Sequence, residues 1–313
     1  MNEGSILGGD VELFELVGLP AVMERSRGSA AVTIAVIDGP VAVEQPDLAH
    51  ARIRTLGGNA ACTRASSYAC THGTLVAGAL VARRGSPAPA IAPECTLLVC
   101  PIFGESEMTP GPTGGVPSAT PGELAAALQA SIDAGARVIN ISASLLHRPV
   151  GEERNLEHAL DAAASREVLV IAAAGNQSQL ASSSLTRHPW VIPVAACSAD
   201  GRVLELSNLG PSVGRGLLAP GERVVSLGSD GRPQMFSGTS AAAPFVTGAA
   251  ALLCSLFPRA AGGTVRRALC GNGVRRRIVP PLLDAWSSLH VPEVHHAQYR
   301  ETENHEHDRS QKR

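Results

Sequence analysis

Apolar residues along this chain fall in short unbroken runs rather than in alternation. AVTIAVI (31–37), TLLVCPIF (96–103), ARVINIS (136–142), VLVIAAAG (168–175) and WVIPVAAC (190–197) are apolar on both faces, which predicts strands covered by helices on each side. Helical patterns at about 73–84, 122–134 and 154–166, and a long one from Thr239 to Phe257, supply the covering layers. This alternation predicts an α/β fold of three layers, with a mostly parallel central sheet between helices on both faces. In such sheets functional groups gather beyond the carboxyl ends of the strands. Asp38-Gly39-Pro40, Ser142-Ala143-Ser144 and Gly175-Asn176-Gln177 occupy those positions.

The long apolar helix opens unusually, with Phe236-Ser237-Gly238-Thr239-Ser240. Ser and Thr are favoured N-caps, and Gly238 allows the tight turn before them, but capping accounts for one hydroxyl and three are present. Pro244 lies within the first turns, where a missing amide proton costs least. Only the 236–257 region is long and apolar enough to suggest a membrane span, and its hydroxyl-rich start makes it a buried helix instead.

Composition narrows the possibilities further. A chain of 313 residues with 44% hydrophobic but only 3% aromatic residues must build its core from Ala, Val, Leu and Ile. One domain is expected over 1–290, with residues 1–30 an N-terminal extension and 291–313 a polar, solvated, disordered tail. A formal charge of −2 gives no electrostatic case for nucleic acid. The single lysine, Lys312, excludes a Ser-Lys dyad and a phosphate-loop lysine. The acidic N-terminus does not read as a secretion signal, so the expected compartment is the cytoplasm, without membrane contact. Seven cysteines are mostly in apolar patterns and read as buried thiols. Cys62 and Cys70 fall in a polar loop instead, where they can pair or bind metal, although no CxxC spacing supports zinc. The tail histidines His295, His296, His305 and His307 suit only adventitious metal; neither metal nor cofactor is expected. GESEMTPGPTGGVPSATPGE (104–123) lacks periodicity and reads as a long surface loop that can cover substrate.

Taken singly, the chemical candidates are ambiguous. Asp38 can be an N-cap, a turn residue or a nucleotide ligand, and His72 in ACTHGTLVAGALVARR can be a structural histidine at a helix start. Together, Asp38, His72, Asn176 and Ser240 project to one rim of the sheet, and they are the types acyl transfer needs. A histidine takes the serine proton, a buried carboxylate holds the imidazole, and an amide with a backbone N–H stabilises the oxyanion.

VTIAVIDGPV, THGTLVAG, AAAGNQ and GTSAAAPFVTGAAALL, in that order, resemble the signature segments of the subtilisin-like serine proteases. The matching stretch runs from Val32 to Leu253 and extends to about residue 289 through LAPGERVVSL and PPLLDAWSSL. The resemblance implies that Asp38 orients, His72 is the general base, Ser240 the nucleophile and Asn176 the oxyanion donor, with the Ser240 N–H completing the hole. It implies a peptide substrate bound between Ser142, Ala143 and Ser144 on one side and Ala172, Ala173, Ala174 and Gly175 on the other, with Thr239 beside the nucleophile.

Departures from the family pattern are informative. Gly39-Pro40 follows the aspartate where the family usually has Ser or Thr, and this D-G-P-V form resembles the cyanobactin-type peptide maturation proteases. SASL replaces the Ser-Leu-Gly-Gly of secreted enzymes, and Ala241 replaces the common methionine. The stretch expected to carry the calcium loop, RRGSPAPAIAP (83–93), has no acidic side chain, so no strong calcium site is expected. With about thirty residues before the first strand, no inhibitory pro-domain is expected.

The expected activity is a serine endopeptidase that removes the leader of a ribosomal precursor peptide. A peptide macrocyclase on the same site is the alternative; such relatives carry a helical insertion near the active site, whereas 33 residues separate Asp38 from His72, the ordinary family length. A non-catalytic peptide-binding module remains a third reading. A nucleotide-binding or receiver domain lacks a G-x-G-x-x-G fingerprint.

Overall fold

A computed structural model of the chain describes residues 12–57, 62–105, 118–142, 144–145, 150–271, 277–292 and 294. Seven strands form one parallel sheet: β1 (Thr33–Asp38), β2 (Arg52–Thr55), β3 (Thr96–Pro101), β5 (Val138–Ile141), β7 (Leu169–Ala173), β8 (Ile192–Cys197) and β9 (Leu217–Pro220), in the order β2-β3-β1-β5-β7-β8-β9. Short β4 (Ser118–Ala119) pairs with β6 (Ser144–Leu145), and β10 (Val224–Leu227) forms an antiparallel hairpin with β11 (Pro233–Phe236). Helices α1 (Leu19–Arg25), α2 (Tyr68–Val81), α3 (Pro121–Asp133), α4 (Val150–Ser165), α5 (Ser184–Arg187), α6 (Thr239–Leu256), α7 (Gly262–Cys270) and α8 (Ala285–Leu289) complete the fold.

The uninterrupted apolar strands are buried on both faces, which gives the expected three layers. Ile34, Val36, Val138 and Ile171 pack with α2 and α6, whereas Ala35, Ile37, Ile139 and Val170 pack with α3 and α4. Helix α6 lies inside the fold, with every residue from Thr239 to Cys254 buried. The N-terminal extension joins the same core through Leu13, Val17, Leu19 and Val22. Val294, within the segment expected to be a solvated tail, is buried there too. Val291 is partly buried against that core, and residues 293 and 295–313, including all four tail histidines, lie outside the described residues.

Several elements escaped the apolar pattern, among them β9, a buried strand of the same sheet, and the β10–β11 hairpin. Edge strand β2 reads Arg-Ile-Arg-Thr and is largely exposed, so its charges protect the sheet edge without leaving an apolar run. Helix α2 begins at Tyr68 rather than near residue 73, because the Ser67 hydroxyl accepts the Cys70 N–H and caps it. Most of the predicted 104–123 loop lies outside the described residues, but its end is ordered by a capping box between Thr120 and Glu123.

The 83–92 segment is held by an arginine. Arg84 donates from Nη1 to the Met23 carbonyl at 2.6 Å, and from Nη2 to the Ser26 and Ile91 carbonyls at 2.7 and 3.2 Å. One guanidinium thereby ties the end of the N-terminal extension to the segment after α2.

Candidate active site

Strand order reverses between β1 and β5, because the chain leaves β1 for β2 and β3 on one side and returns to β5 on the other. Asp38 ends β1 and Ser142 follows β5, so both sit at this switch point, where open α/β sheets form their crevice.

His72 is one turn into α2 and meets Asp38 directly. Its Nδ1 lies 2.7 Å from Asp38 Oδ1 and 3.0 Å from Oδ2, and the Gly39 N–H donates to Oδ1 at 2.6 Å. Asp38 is fully buried and His72 is 6% exposed. Nδ1 therefore carries the proton, and Nε2 presents the basic lone pair; among the described residues it accepts no hydrogen bond. Burial disfavours the imidazolium, yet the charge of Asp38 and its hydrogen bond outweigh burial, so the His72 pKa is raised above its ordinary value. The Tyr68 ring lies 5.9 Å from the His72 ring, one turn earlier on α2.

This approach explains the Asp-Gly sequence. A Cβ on Gly39 would lie 2.0 Å from the Ala69 carbonyl oxygen, and one on Gly73 would lie 2.5 Å from the Gly39 oxygen. The start of α2 sits directly on the chain after Asp38, so a side chain at residue 39 would push His72 away from its carboxylate.

The three hydroxyls at the start of α6 have separate fates. Ser237 Oγ accepts the Arg223 N–H at 2.9 Å. Thr239, fully buried, donates both its N–H and its hydroxyl to Asn176 Oδ1, each at 2.9 Å, and its Oγ1 accepts the Gly175 N–H at 3.1 Å. Ser240 Oγ alone is uncommitted among the described residues; it has no hydrogen bond to His72 Nε2, although α2 and α6 pack together on one face of the sheet. Pro244 is the sixth residue of α6, past the four amides a helix leaves unbonded, so the Ser240 carbonyl lacks its usual i+4 donor.

Because Thr239 supplies two donors to Oδ1, the orientation of the Asn176 amide is determined, and Nδ2 faces away from Thr239. Asn208 fixes the loop that carries it: its side-chain oxygen accepts the Gln177 and Gln179 N–H groups at 3.0 and 3.1 Å, and its backbone N–H donates to the Gly175 carbonyl. Nothing in the sequence near residue 176 pointed to Asn208, which is 32 positions later.

The expected cleft residues divide. Ser142 is buried and accepts a hydrogen bond from Asn140 Nδ2 at 2.9 Å, while Asn140 Oδ1 accepts from Thr247 of α6 at 2.8 Å. This buried chain links the cleft edge to the serine-bearing helix and went unread in the sequence. The backbone of Ser144 pairs with Ser118, and Ala143 lies outside the described residues. Ala173, Ala174 and Gly175 lead to Asn176, with Gly175 at φ +101°, whereas Ala172 is fully buried in the core beside α3 and α4. Cys62 and Cys70 form a disulfide, and the other five cysteines are free and buried.

A model of the subtilase family matches residues 29–281. Subtilisin DY of Bacillus licheniformis is 28% identical over 262 residues, which cover 81% of this chain and 88% of that protein. Mycosin-3 of Mycobacterium tuberculosis is 28% identical over 78% of this chain, but the match spans only 62% of mycosin-3. Among solved structures, the protease domain of PatA is 30% identical with a TM-score of 0.74, covering 84% of this chain and 95% of that one. The prenylagaramide maturation protease PagA is 28% identical with a TM-score of 0.73, covering 87% and 98%. The PatG macrocyclase in complex with peptide shares the fold at 22% identity and a TM-score of 0.71, covering 91% and 97%.

Proposed function

This chain belongs to the subtilase family, and from that premise we propose that it is a serine endopeptidase in which Ser240 attacks the peptide carbonyl and His72 is the base. The observation that carries the reading is the buried Asp38–His72 pair, which directs an unoccupied Nε2 lone pair outward. Nε2 takes the Ser240 proton as the hydroxyl attacks, and Asp38 stabilises the imidazolium that forms. The same imidazolium returns its proton to the leaving amine, and a water molecule, activated likewise, then releases the acyl group. The missing Ser240–His72 hydrogen bond is consistent with a site whose contacts tighten only around substrate.

Asn176 Nδ2 and the Ser240 N–H at the start of α6 form the oxyanion hole in this proposal. Thr239 acts through Asn176 by holding the amide in the orientation that leaves Nδ2 free. An extended substrate lies between the Ser142–Ser144 segment and Ala173–Gly175, pairing through its backbone.

The substrate we assign is a ribosomal precursor peptide from which a leader is removed. Similarity to PagA and to the PatA protease domain supports it, as does the Asp-Gly-Pro form at the base of the site. Such a precursor is made in the cytoplasm, and the proposal places the enzyme's action there. Macrocyclisation is the second reading, favoured by the fold shared with the PatG macrocyclase. A small fluorophosphonate should label the protein at Ser240 and fail to label Ser240→Ala. Mass spectrometry of a candidate precursor then separates a linear product, heavier by one water per cut, from a cyclic one; a folded protein that resists the probe ends the protease reading.

A further inference from the structure

Resting on that protease reading, we propose that the Cys62–Cys70 disulfide is a thiol-addressable latch on the cleft wall beside His72, whose opening weakens the binding of extended peptides. The bond closes a loop with a sequence separation of 8 and a Cα–Cα distance of 5.6 Å. Its far end, Cys70, lies in the first turn of α2, two residues before His72, and is fully buried. Its near end, Cys62, is only half-buried.

Residues 63–66 between them are exposed, and side chains from two other segments tie them to the fold. Glu105, at the root of the 104–123 segment, accepts the Thr63 and Arg64 N–H groups at 2.6 and 3.2 Å and also the Thr63 hydroxyl. Ser229 donates its hydroxyl to the Ala65 carbonyl at 2.6 Å and contacts Thr71 Oγ1 at 2.7 Å. The segment before His72 is thus a strap tied by side chains and by one disulfide cross-link.

The seat of His72 does not depend on that tie. Gly39 and Gly73 allow close backbone contact between α2 and β1, the Ser226 hydroxyl donates to the Leu75 carbonyl at 2.7 Å, and Thr74 Oγ1 accepts the Ala42 N–H at 3.0 Å. Opening the bond therefore frees the strap while leaving the Asp38–His72 pair in place. Burial raises the thiol pKa of Cys254 to about 11 and that of Cys197 to about 12, and nearby acidic groups add to the latter, so neither of these two thiols competes in the exchange.

The exchange balances with a small-molecule thiol such as glutathione. Its thiolate attacks the half-buried Cys62 sulfur, the protein S–S bond breaks, and the electron pair leaves on Cys70. A second thiolate attacks the mixed disulfide on Cys62. Two external thiols become one disulfide, the protein disulfide becomes two thiols, and the two thiol protons pass to the cysteines.

The test uses the full chain, oxidised or treated with millimolar glutathione, with the thiol count read by alkylation and mass spectrometry. An extended fluorogenic peptide reports KM and kcat, and a small fluorophosphonate reports the intact triad. We expect reduction to raise KM about fivefold, while kcat and the labelling rate stay within about twofold. The Cys62→Ser variant should show the reduced-state KM and no response to glutathione. Unchanged KM at full reduction, a bond that resists glutathione in the folded protein, or a joint collapse of kcat and labelling would each overturn the latch. Absence of labelling in both states would remove the protease reading itself, an outcome no change in KM can imitate.

Discussion

Among the described residues two histidines touch an aspartate, and in the proposed reaction only one of the pairs transfers a proton. His72 meets Asp38 at 2.7 Å, with the carboxylate fully buried, and its second ring nitrogen accepts no hydrogen bond among the described residues. His188 meets Asp161 through Nε2 at 3.1 Å, but that carboxylate side chain is 68% exposed, and His188 Nδ1 accepts the Trp190 N–H at 3.3 Å. Contact with a carboxylate is common to both. Burial of the acid and an uncommitted opposite nitrogen separate the proposed base from a structural pin.

Exchanging the two acids for asparagine tests that distinction most severely. Asp38→Asn should lower kcat/KM by about 10⁴, the size of effect seen when the acid of such a triad is neutralised. Asp161→Asn should leave kcat/KM within about twofold and cost under about 1 kcal/mol in urea unfolding, as an exposed pair does. Comparable losses in the two variants would erase the contrast.

Asn176→Ala should reduce kcat by about 10² to 10³ with little change in KM, the range known for an oxyanion amide in subtilisin. Thr239→Val keeps the shape but removes one of two donors to Asn176 Oδ1, so a loss of about tenfold in kcat is expected. A Thr239→Val enzyme with wild-type kcat would show that the hydroxyl does not position the amide.

The pH profile sharpens the comparison from the His72 side. Because Asp38 raises the His72 pKa and catalysis needs neutral imidazole, kcat/KM should fall as pH drops through that raised value. In Asp38→Asn only burial remains, so the acid limb should move to lower pH in the residual activity. Stability has the opposite sign: the Asp38–His72 contribution is complete below the unfolded histidine pKa and is lost as pH rises through the folded one. Asp161→Asn should leave the midpoint of the acid limb where it is.

The smallest expected effect lies far from the chemistry. Arg84→Ala removes three charge-assisted bonds to carbonyls and should cost about 2 kcal/mol of stability without altering kcat. A wild-type Tm in this variant would leave the guanidinium without a structural role.

What could be read in the sequence was whatever lies at a strand or helix end. Asp38, Asn176 and Ser240 each follow an apolar run or open one, and the strand-end rule turns that position into an expected shared rim. The partners that aim them were not legible, because they come from distant segments. Asn208 was silent beside Asn176, and the Asn140–Thr247 bond spans 107 residues between positions that read as ordinary core. Thr239 resembled a cleft residue, but the structure spends its polar groups on Asn176 and Gly175 and leaves it no exposed surface. The Asp-Gly departure was visible as a motif, and its cause, the Ala69 backbone against Gly39, needed coordinates.

Arg84 gives the protein a metal-like clasp made of its own chain. A dissociable ion confers rigidity in proportion to its concentration, whereas a guanidinium stays ionised and attached at any dilution. The joint between the N-terminal extension and the segment after α2 should therefore hold equally well in chelating buffer and in calcium-rich medium.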